Sequence, residues 1–329
     1  MRVLVLGGTE FLGRHLVDAA LERGHDVVLF NRGRTNPDLY PQLELLRGDR
    51  DGELAALERR RFDAVIDTSG YVPRVVGDSA ERLAGTAGAY VFISSISVYA
   101  DFSVEGIDES APVESLEDES SEDAEGDYGA LKALCEQEVL RVFGERAVII
   151  RPGLIVGPFD PTNRFTYWVT RAARGGDILA PAPRNGPVQL IDARDLAAWT
   201  ISLIEGEASG VYNATGRPGQ LSFADVVGAC VAAAGTAAEV TWVDAGFLSE
   251  HGVRPWSELP LWVPEGEWQG FVALNVSRAT AAGLEARPIE DTVRATGAWV
   301  STLEAPPGDA GLAPEREKEL LAEWRAEHV

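Results

Sequence analysis

Arg2-Val3-Leu4-Val5-Leu6-Gly7-Gly8-Thr9-Glu10-Phe11-Leu12-Gly13 runs from an apolar stretch straight into a glycine-studded turn. Four successive apolar residues ahead of such a turn read as a buried strand. Phe11 to Arg23 then sets Leu12, Leu16, Ala19 and Ala20 on one helical face, with Gly24 where a C-terminal cap belongs. Glycines permit the tight turn and the close approach of helix to strand, and the helix start offers free N–H groups to a pyrophosphate. Gly7, Thr9, Glu10, Phe11, Leu12 and Gly13 are therefore the expected phosphate turn of a dinucleotide site. One position departs from Gly-x-x-Gly-x-x-Gly: its middle glycine is Glu10. A carboxylate ~6 Å from a phosphate, at an effective dielectric of ~20, would cost roughly 3 kcal/mol. Its side chain is expected either to turn to solvent or to cap its own helix.

Working outward, Val27 to Phe30, Glu44 to Arg47, Ala64 to Asp67, Tyr90 to Ser94 and Ala147 to Ile150 read as further strands, with helix-sized segments such as Val75 to Ala84 between them. Such alternation predicts an α/β fold with a doubly wound parallel sheet, and ligand at the carboxyl ends of its strands. The second strand closes on Asn31 and Arg32, beside the expected adenosine ribose. An acidic residue there favours NAD and an arginine accommodates the extra phosphate of NADP, so NADP(H) is expected over NAD(H). Asp49 and Arg50 follow the third strand and Ser69 and Gly70 the fourth, placing them beside the adenine and the ribose chain.

Lysine is almost avoided: Lys132 and Lys318 are the whole complement, and arginine carries the remaining positive charge. A retained lysine calls for a reason, because arginine serves as a generic cation but stays protonated. Lys132 closes Tyr128-Gly129-Ala130-Leu131-Lys132. Four residues on a helix bring both side chains to one face, where an ammonium would favour the phenolate and fit tyrosine for acid/base work near neutrality. Ser95 ends the fifth strand, and a hydroxyl there suits hydrogen bonding to a substrate oxygen that gains or loses charge. Read alone, a serine pair after a strand marks a turn.

Gly7-Gly8-x-x-x-x-Gly13, Ser94-Ser95-x-x-Val98-Tyr99, Tyr128-x-x-x-Lys132, Arg151-Pro152-Gly153, Val156-Gly157-Pro158 and Gln189-Leu190-Ile191-Asp192-Ala193-Arg194-Asp195 together resemble the extended short-chain dehydrogenase/reductase family, the NAD-dependent epimerase/dehydratase group, over about residues 1 to 300. Thr9-Glu10-Phe11 and Asn31-Arg32-Gly33 are more similar to a branch that includes chloroplast stem-loop-binding-protein relatives. The resemblance implies a dinucleotide-binding Rossmann lobe over 1–156 to which segments near 187–200 return, a mainly substrate-binding lobe over 157–304, and a linker with a C-terminal helix over 305–329. It implies Ser95, Tyr128 and Lys132 as the catalytic set, Lys132 on the cofactor ribose, and Pro152 and Gly153 bordering the nicotinamide. Family dehydratases tend to carry an acidic residue just after the catalytic serine or threonine. Ile96 stands there, which leaves reduction, oxidation or epimerisation. Family members often pair through a helix bundle, so a homodimer is also implied.

The rest of the chain narrows the partners. A formal net charge of −23, from 29 basic against 52 acidic residues, repels phosphate backbones and anionic lipid. A small molecule is the expected substrate, nucleic acid and membrane poor partners, and the cytoplasm the expected compartment. The rival reading is a cofactor-regulated, RNA-binding protein, which needs a basic groove. Residues 103–127 form an acidic stretch expected as a mobile surface loop, either a plain insertion or a flap over the site. All eight tryptophans lie beyond Gly157. Trp256, Trp262 and Trp268 suit either a pocket wall or packing between lobes. Pro314 to Glu327 reads as a terminal helix that docks Leu320, Leu321 and Trp324. Cys135 and Cys230 lack metal spacing and are expected as reduced core thiols, with no metal site. Arg164, Arg184 and Arg254 either grip a nucleotide-sugar diphosphate or balance the acidic surface.

Overall fold

A computed structural model describes residues 1–116, 118, 121–264, 266, 268–305 and 307–328. Seven parallel strands form the main sheet: β1 Arg2–Leu6, β2 Asp26–Asn31, β3 Glu44–Arg47, β4 Phe62–Asp67, β5 Ala87–Ile93, β6 Ala147–Pro152 and, much later in the chain, Gly210–Ala214. Their spatial order is β3-β2-β1-β4-β5-β6 followed by the late strand at the edge. Every pairing in this sheet is parallel. The order reverses between β1 and β4, which opens a crevice at their carboxyl ends.

Period-two alternation explains why both faces are covered. Val3 and Val5 of β1 face one apolar layer with Leu12, Leu16 and Leu196, while Leu4 and Leu6 face another with Val76, Phe92 and Val139. Val3 to Leu6 are fully buried, each worth about 1.5–3 kcal/mol relative to exposure. The first layer is built on α1 Phe11–Glu22, the second on α2 Pro73–Leu83 and α3 Tyr128–Phe143. Gly24 follows α1 at φ +77°, donating to the Leu21 carbonyl oxygen. The strands and helices expected between residues 2 and 150 are thus present, with ends shifted by a few residues.

Beyond β6 come β7 Leu154–Val156, α4 Thr166–Ala173, β8 Gly176–Pro181, β9 Pro187–Val188 and β10 Leu190–Asp192. They are followed by α5 Ala193–Glu205, β11 Gly210–Ala214, β12 Leu221–Ser222, α6 Phe223–Ala234 and β13 Ala238–Val243. The chain closes with α7 Ala245–Glu250, α8 Ser277–Ala281, α9 Ile289–Val300 and α10 Pro314–His328. β10 continues into α5, whose Leu196 and Trp199 lie in the α1 layer, and β11 then pairs with β6. A separate core gathers Trp168, Leu179, Phe223, Val243, Leu259, Ile289 and Leu320.

Two local expectations change in detail. The acidic stretch carries an apolar anchor, because Ile107 is buried with Phe102 and Leu274, and Val113 bridges Tyr99. Its residues 117, 119 and 120 lie outside the described residues, as do Glu265 and Glu267 near the tryptophans, Pro306 of the expected linker and the terminal Val329. Trp262 is core, Trp256 packs on Phe271, and half-exposed Trp268 stacks on Phe102 at 5.6 Å, so these three pack between segments. Leu320 and Leu321 dock α10, Trp324 packs on Phe247, and Glu317 forms a buried 2.6 Å ion pair with Arg171. Lys318 is exposed, Cys135 and Cys230 are buried free thiols, and among the described residues no helix is long and apolar enough to cross a membrane.

Candidate active site

The turn after β1 is shaped for a close backbone approach. Gly7 and Gly8 have φ of +104° and +91°, and a Cβ on Gly8 would stand 2.8 Å from Leu29 Cδ2. A Cβ on Gly13 would stand 2.9 Å from Gly8 Cα, so α1 could not lie where it does with any other residue there. Two side-chain amides fix the turn: Asn31 Nδ2 donates to Gly7 O and Asn36 Nδ2 to Thr9 O, at 2.9 and 2.8 Å. Asn31 Oδ1 also accepts from Gly33 N. Leu12 buries its side chain, leaving its main chain to the turn. Glu10 occupies the N-cap with extended backbone, but its carboxylate makes no capping bond and is exposed. The capping alternative therefore fails, and the solvent-facing one holds.

Arg32 is exposed at the end of β2, 3.8 Å from the Asp49 carboxylate. Arg50, expected beside the adenine, turns inward instead. Its guanidinium is buried and bidentate on Asp67 at 2.6 and 2.8 Å, with Ser79 and Ser69 as further acceptors. Tyr90 donates to the same fully buried Asp67. A buried carboxylate needs such compensation, and this network sets the end of β4. Ser69 N accepts that order by donating to Asp67 Oδ1, and Gly70 has no room for a Cβ, which would lie 2.5 Å from Phe92.

Lys132 projects from α3 into this end of the sheet. The residue is 3% exposed, and its ammonium donates to Gly70 O at 2.8 Å and Ile93 O at 2.7 Å, so it ties the loop after β4 to the end of β5. Burial pulls its pKa down to about 8, against the opposing pull of Asp67. Tyr128 opens α3, half-buried, and the Tyr71 ring stands by both: 6.4 Å from the Tyr128 ring and 5.1 Å from Lys132 Nζ. Burial first, and Tyr71 next, hold the Tyr128 phenol above its ordinary value. The groups that favour its phenolate are the Ser95 hydroxyl and the charge of Arg164. The expectation that Lys132 acidifies Tyr128 is corrected accordingly, because the ammonium is committed to two backbone carbonyls.

Ser95 lies after β5, where its Oγ accepts from Ser97 N and donates to Ser97 Oγ, each at 3.0 Å. Pro152 and Gly153 follow on β6; Gly153 donates to Ala214 O, and a Cβ on it would meet Thr215 Oγ1 at 2.7 Å. Beneath them runs a network that the sequence reading missed. Ser94 Oγ donates to Glu136 at 2.5 Å, Arg151 pairs bidentately with Glu136, and Arg151 also reaches Tyr99, which donates to Asn213. Glu136 lies two turns beyond Tyr128 on the same face, so a carboxylate repeating the four-residue step of Tyr128 and Lys132 was the available signal. Tyr71 carried none.

The geometry fits a dinucleotide across the mouth of β1 and β4, with Tyr128, Lys132 and Ser95 at one end. The sequence model described as "NAD dependent epimerase/dehydratase family" matches residues 3–215. A chloroplast stem-loop binding protein of 41 kDa b from Arabidopsis thaliana is 25% identical over 71% of this chain and 63% of its own length. A 2-alkyl-3-oxoalkanoate reductase from Stenotrophomonas maltophilia is 33% identical over 49% of this chain and 52% of its own. The chain thus spans between about half and two thirds of those two relatives. A dTDP-6-deoxy-L-talose 4-dehydrogenase (NAD(P)+) from Kitasatospora kifunensis is 26% identical over 93% of this chain and 96% of its own. Among solved structures, UDP-N-acetylglucosamine 4-epimerase from Bacillus cereus superposes at TM-score 0.68 with 17% identity over 94% of this chain and 99% of that one, sharing the fold.

Proposed function

The chain belongs to the NAD dependent epimerase/dehydratase family, and from that premise we propose that it is an NAD(P)-dependent oxidoreductase that interconverts a carbonyl and an alcohol on a small molecule, with Tyr128 as its acid/base. The observation that carries this reading is the seating of Lys132 on Gly70 O and Ile93 O, with Tyr128 one helical turn before it on α3. The glycine turn holds the pyrophosphate through the free N–H groups at the start of α1, and Lys132 faces the ribose. Arg32 takes the additional phosphate of NADP(H). When bound, the nicotinamide supplies the hydride in reduction and accepts it in oxidation.

Tyr128 gives its phenolic proton to the carbonyl oxygen as the alcohol forms, and Ser95 stabilises the charge gathering on that oxygen. Lys132, held on Gly70 O and Ile93 O, fixes the end of the sheet against which the phenol stands. Pro152 and Gly153 close the far wall. In oxidation Tyr128 takes the proton back.

A Tyr128→Phe variant tests this reading. Its turnover of a carbonyl substrate is expected to fall by ~10²-fold or more, while cofactor affinity stays level. Full activity would overturn the assignment of Tyr128. Epimerisation is the second reading, favoured by a UDP-glucose 4-epimerase from Neisseria meningitidis that is 30% identical over 41% of this chain. Cofactor retained through gel filtration supports it, whereas net consumption of NADPH with a ketone supports the oxidoreductase. RNA binding, which the name of the Arabidopsis relative raises, is disfavoured by the net charge of −23 and by surface arginines that carboxylates neutralise, such as Arg82 by Glu58 and Arg141 by Glu81 and Glu138.

A further inference from the structure

We infer that the ring of Tyr71 is the wall against which the nicotinamide end of the dinucleotide packs, so that this tyrosine sets how tightly that end is held. The inference rests on the dinucleotide site proposed above and adds to it a residue that lies outside the sequence motifs of the family.

Tyr71 is placed by short connections fastened on both sides. Gly70, just before it, is held through its carbonyl oxygen by Lys132 and has no room for a Cβ, which would stand 2.5 Å from Phe92 and 2.7 Å from Val76. Two residues after Tyr71, Pro73 opens α2, and Val72 between them is extended, as a residue ahead of proline prefers to be. The ring therefore leaves a constrained backbone at the carboxyl end of β4, beside the crevice between β1 and β4.

Two aromatic rings lie by the Lys132 ammonium: Phe92, its centroid 4.6 Å from Nζ, and Tyr71, at 5.1 Å. Phe92 is fully buried, whereas Tyr71 is 48% exposed, so of the pair it is Tyr71 that has ring surface left to offer. An ammonium carries three protons, and two go to Gly70 O and Ile93 O. The third has no acceptor among the described residues, which leaves it for a ribose hydroxyl. The Tyr128 ring, 6.4 Å from that of Tyr71, brings the acid/base phenol to the same place. Of the seven tyrosines Tyr71 is the exposed one, the others being buried or half-buried. Burial holds its phenol above the ordinary value, so the ring meets a ligand in its neutral form. An open aromatic face beside a buried cation suits a flat ring with a ribose attached, because the ring gains by leaving water against another aromatic while the sugar hydroxyls find the ammonium.

Calorimetric titration of the full chain with matched probes tests the inference. NADPH and 2′,5′-ADP share the adenosine end and differ by the nicotinamide mononucleotide half, as do NADH and AMP. Tyr71→Ala should weaken NADPH binding roughly fivefold or more and leave 2′,5′-ADP binding level, and Tyr71→Phe should keep the wild-type affinity for both. The same split is expected between NADH and AMP. In a Lys132→Met background the loss from Tyr71→Ala should persist; its disappearance would mean that the ring acts only by covering the ammonium, which overturns the proposal. Unchanged NADPH affinity in Tyr71→Ala, an equal loss for both members of a pair, or a Tyr71→Phe variant as weak as Tyr71→Ala would overturn it as well. Should Tyr71→Ala fail to fold, Tyr71→Leu carries the same comparison, since it fills the space without an aromatic face. A wild type that binds none of the four probes removes the dinucleotide reading and this inference with it. A fully active Tyr128→Phe variant, by contrast, sinks the acid/base reading and leaves the Tyr71 result standing.

Discussion

The ammonium nitrogen of Lys132 lies 2.8 Å from the carbonyl oxygen of Gly70, so a buried cation fastens α3 to the end of β4. Burial lowers the lysine from 10.5 to about 8 in the folded chain. Between those two values the unfolded chain binds the extra proton, so stability rises with pH across that window; below about pH 8 both states are charged and the full desolvation cost is present. The swing is on the order of 3 kcal/mol. Urea unfolding of wild type and Lys132→Met from pH 8 to pH 10.5 should show the wild type gaining stability relative to the variant. A difference that stays flat would remove the depressed ammonium from the account.

Arg50 and Asp67 make the opposite kind of prediction, about structure rather than chemistry. Removing the guanidinium leaves a fully buried carboxylate with Tyr90 as its remaining strong donor. Arg50→Met should therefore cost about 3–5 kcal/mol of folding stability. Cofactor affinity of the folded fraction should change little, because the guanidinium is buried and spent on Asp67, Ser79 and Ser69. A variant with wild-type stability but weakened cofactor binding would restore Arg50 to the adenine.

Arg32 is the residue whose loss should alter selectivity alone. It is exposed, and its nearest carboxylate, Asp49, is 3.8 Å away, beyond a direct hydrogen bond. Arg32→Gln should weaken NADPH binding by about tenfold or more and leave NADH binding and melting temperature level. Equal affinity of the wild type for NADH and NADPH by fluorescence titration would withdraw the assignment.

These contrasts show where the sequence was legible. The strand-turn-helix at residues 2–22 and the alternation after it follow from local periodicity, and the structure reproduces them. Tyr128 and Lys132 were visible for the same reason, since a four-residue step needs nothing beyond one helix. What local pattern could not carry is where a long side chain goes once distant segments meet. Arg50 stands at a strand end, where ligand contacts belong, yet Asp67 on a neighbouring element captures it. Lys132 was expected to act on its helical neighbour, but the carbonyls of Gly70, in the loop after β4, and Ile93, at the end of β5, hold the ammonium. Tyr71 joins the site through β4 alone, with no spacing to announce it.

Gly129 inverts the usual sign of a helix substitution. Glycine inside a helix ordinarily costs about 1 kcal/mol relative to alanine, so Gly→Ala tends to stabilise. In α3, however, a Cβ on Gly129 would stand 2.1 Å from the carbonyl oxygen of Ser97, and backbone oxygen yields only if the turn after Ser95 moves. Gly129→Ala should therefore lose about 1–3 kcal/mol of stability and displace Tyr128 from Ser95, lowering turnover more than cofactor affinity. Gly228 in α6 is the control, exposed and with nothing within 4 Å of the added carbon. Gly228→Ala should be level or more stable by up to about 1 kcal/mol. Thermal unfolding of the two variants with matched turnover measurements decides it: if Gly129→Ala behaves like Gly228→Ala, the close seating of α3 on the Ser95 turn is not what aligns the phenol with the serine.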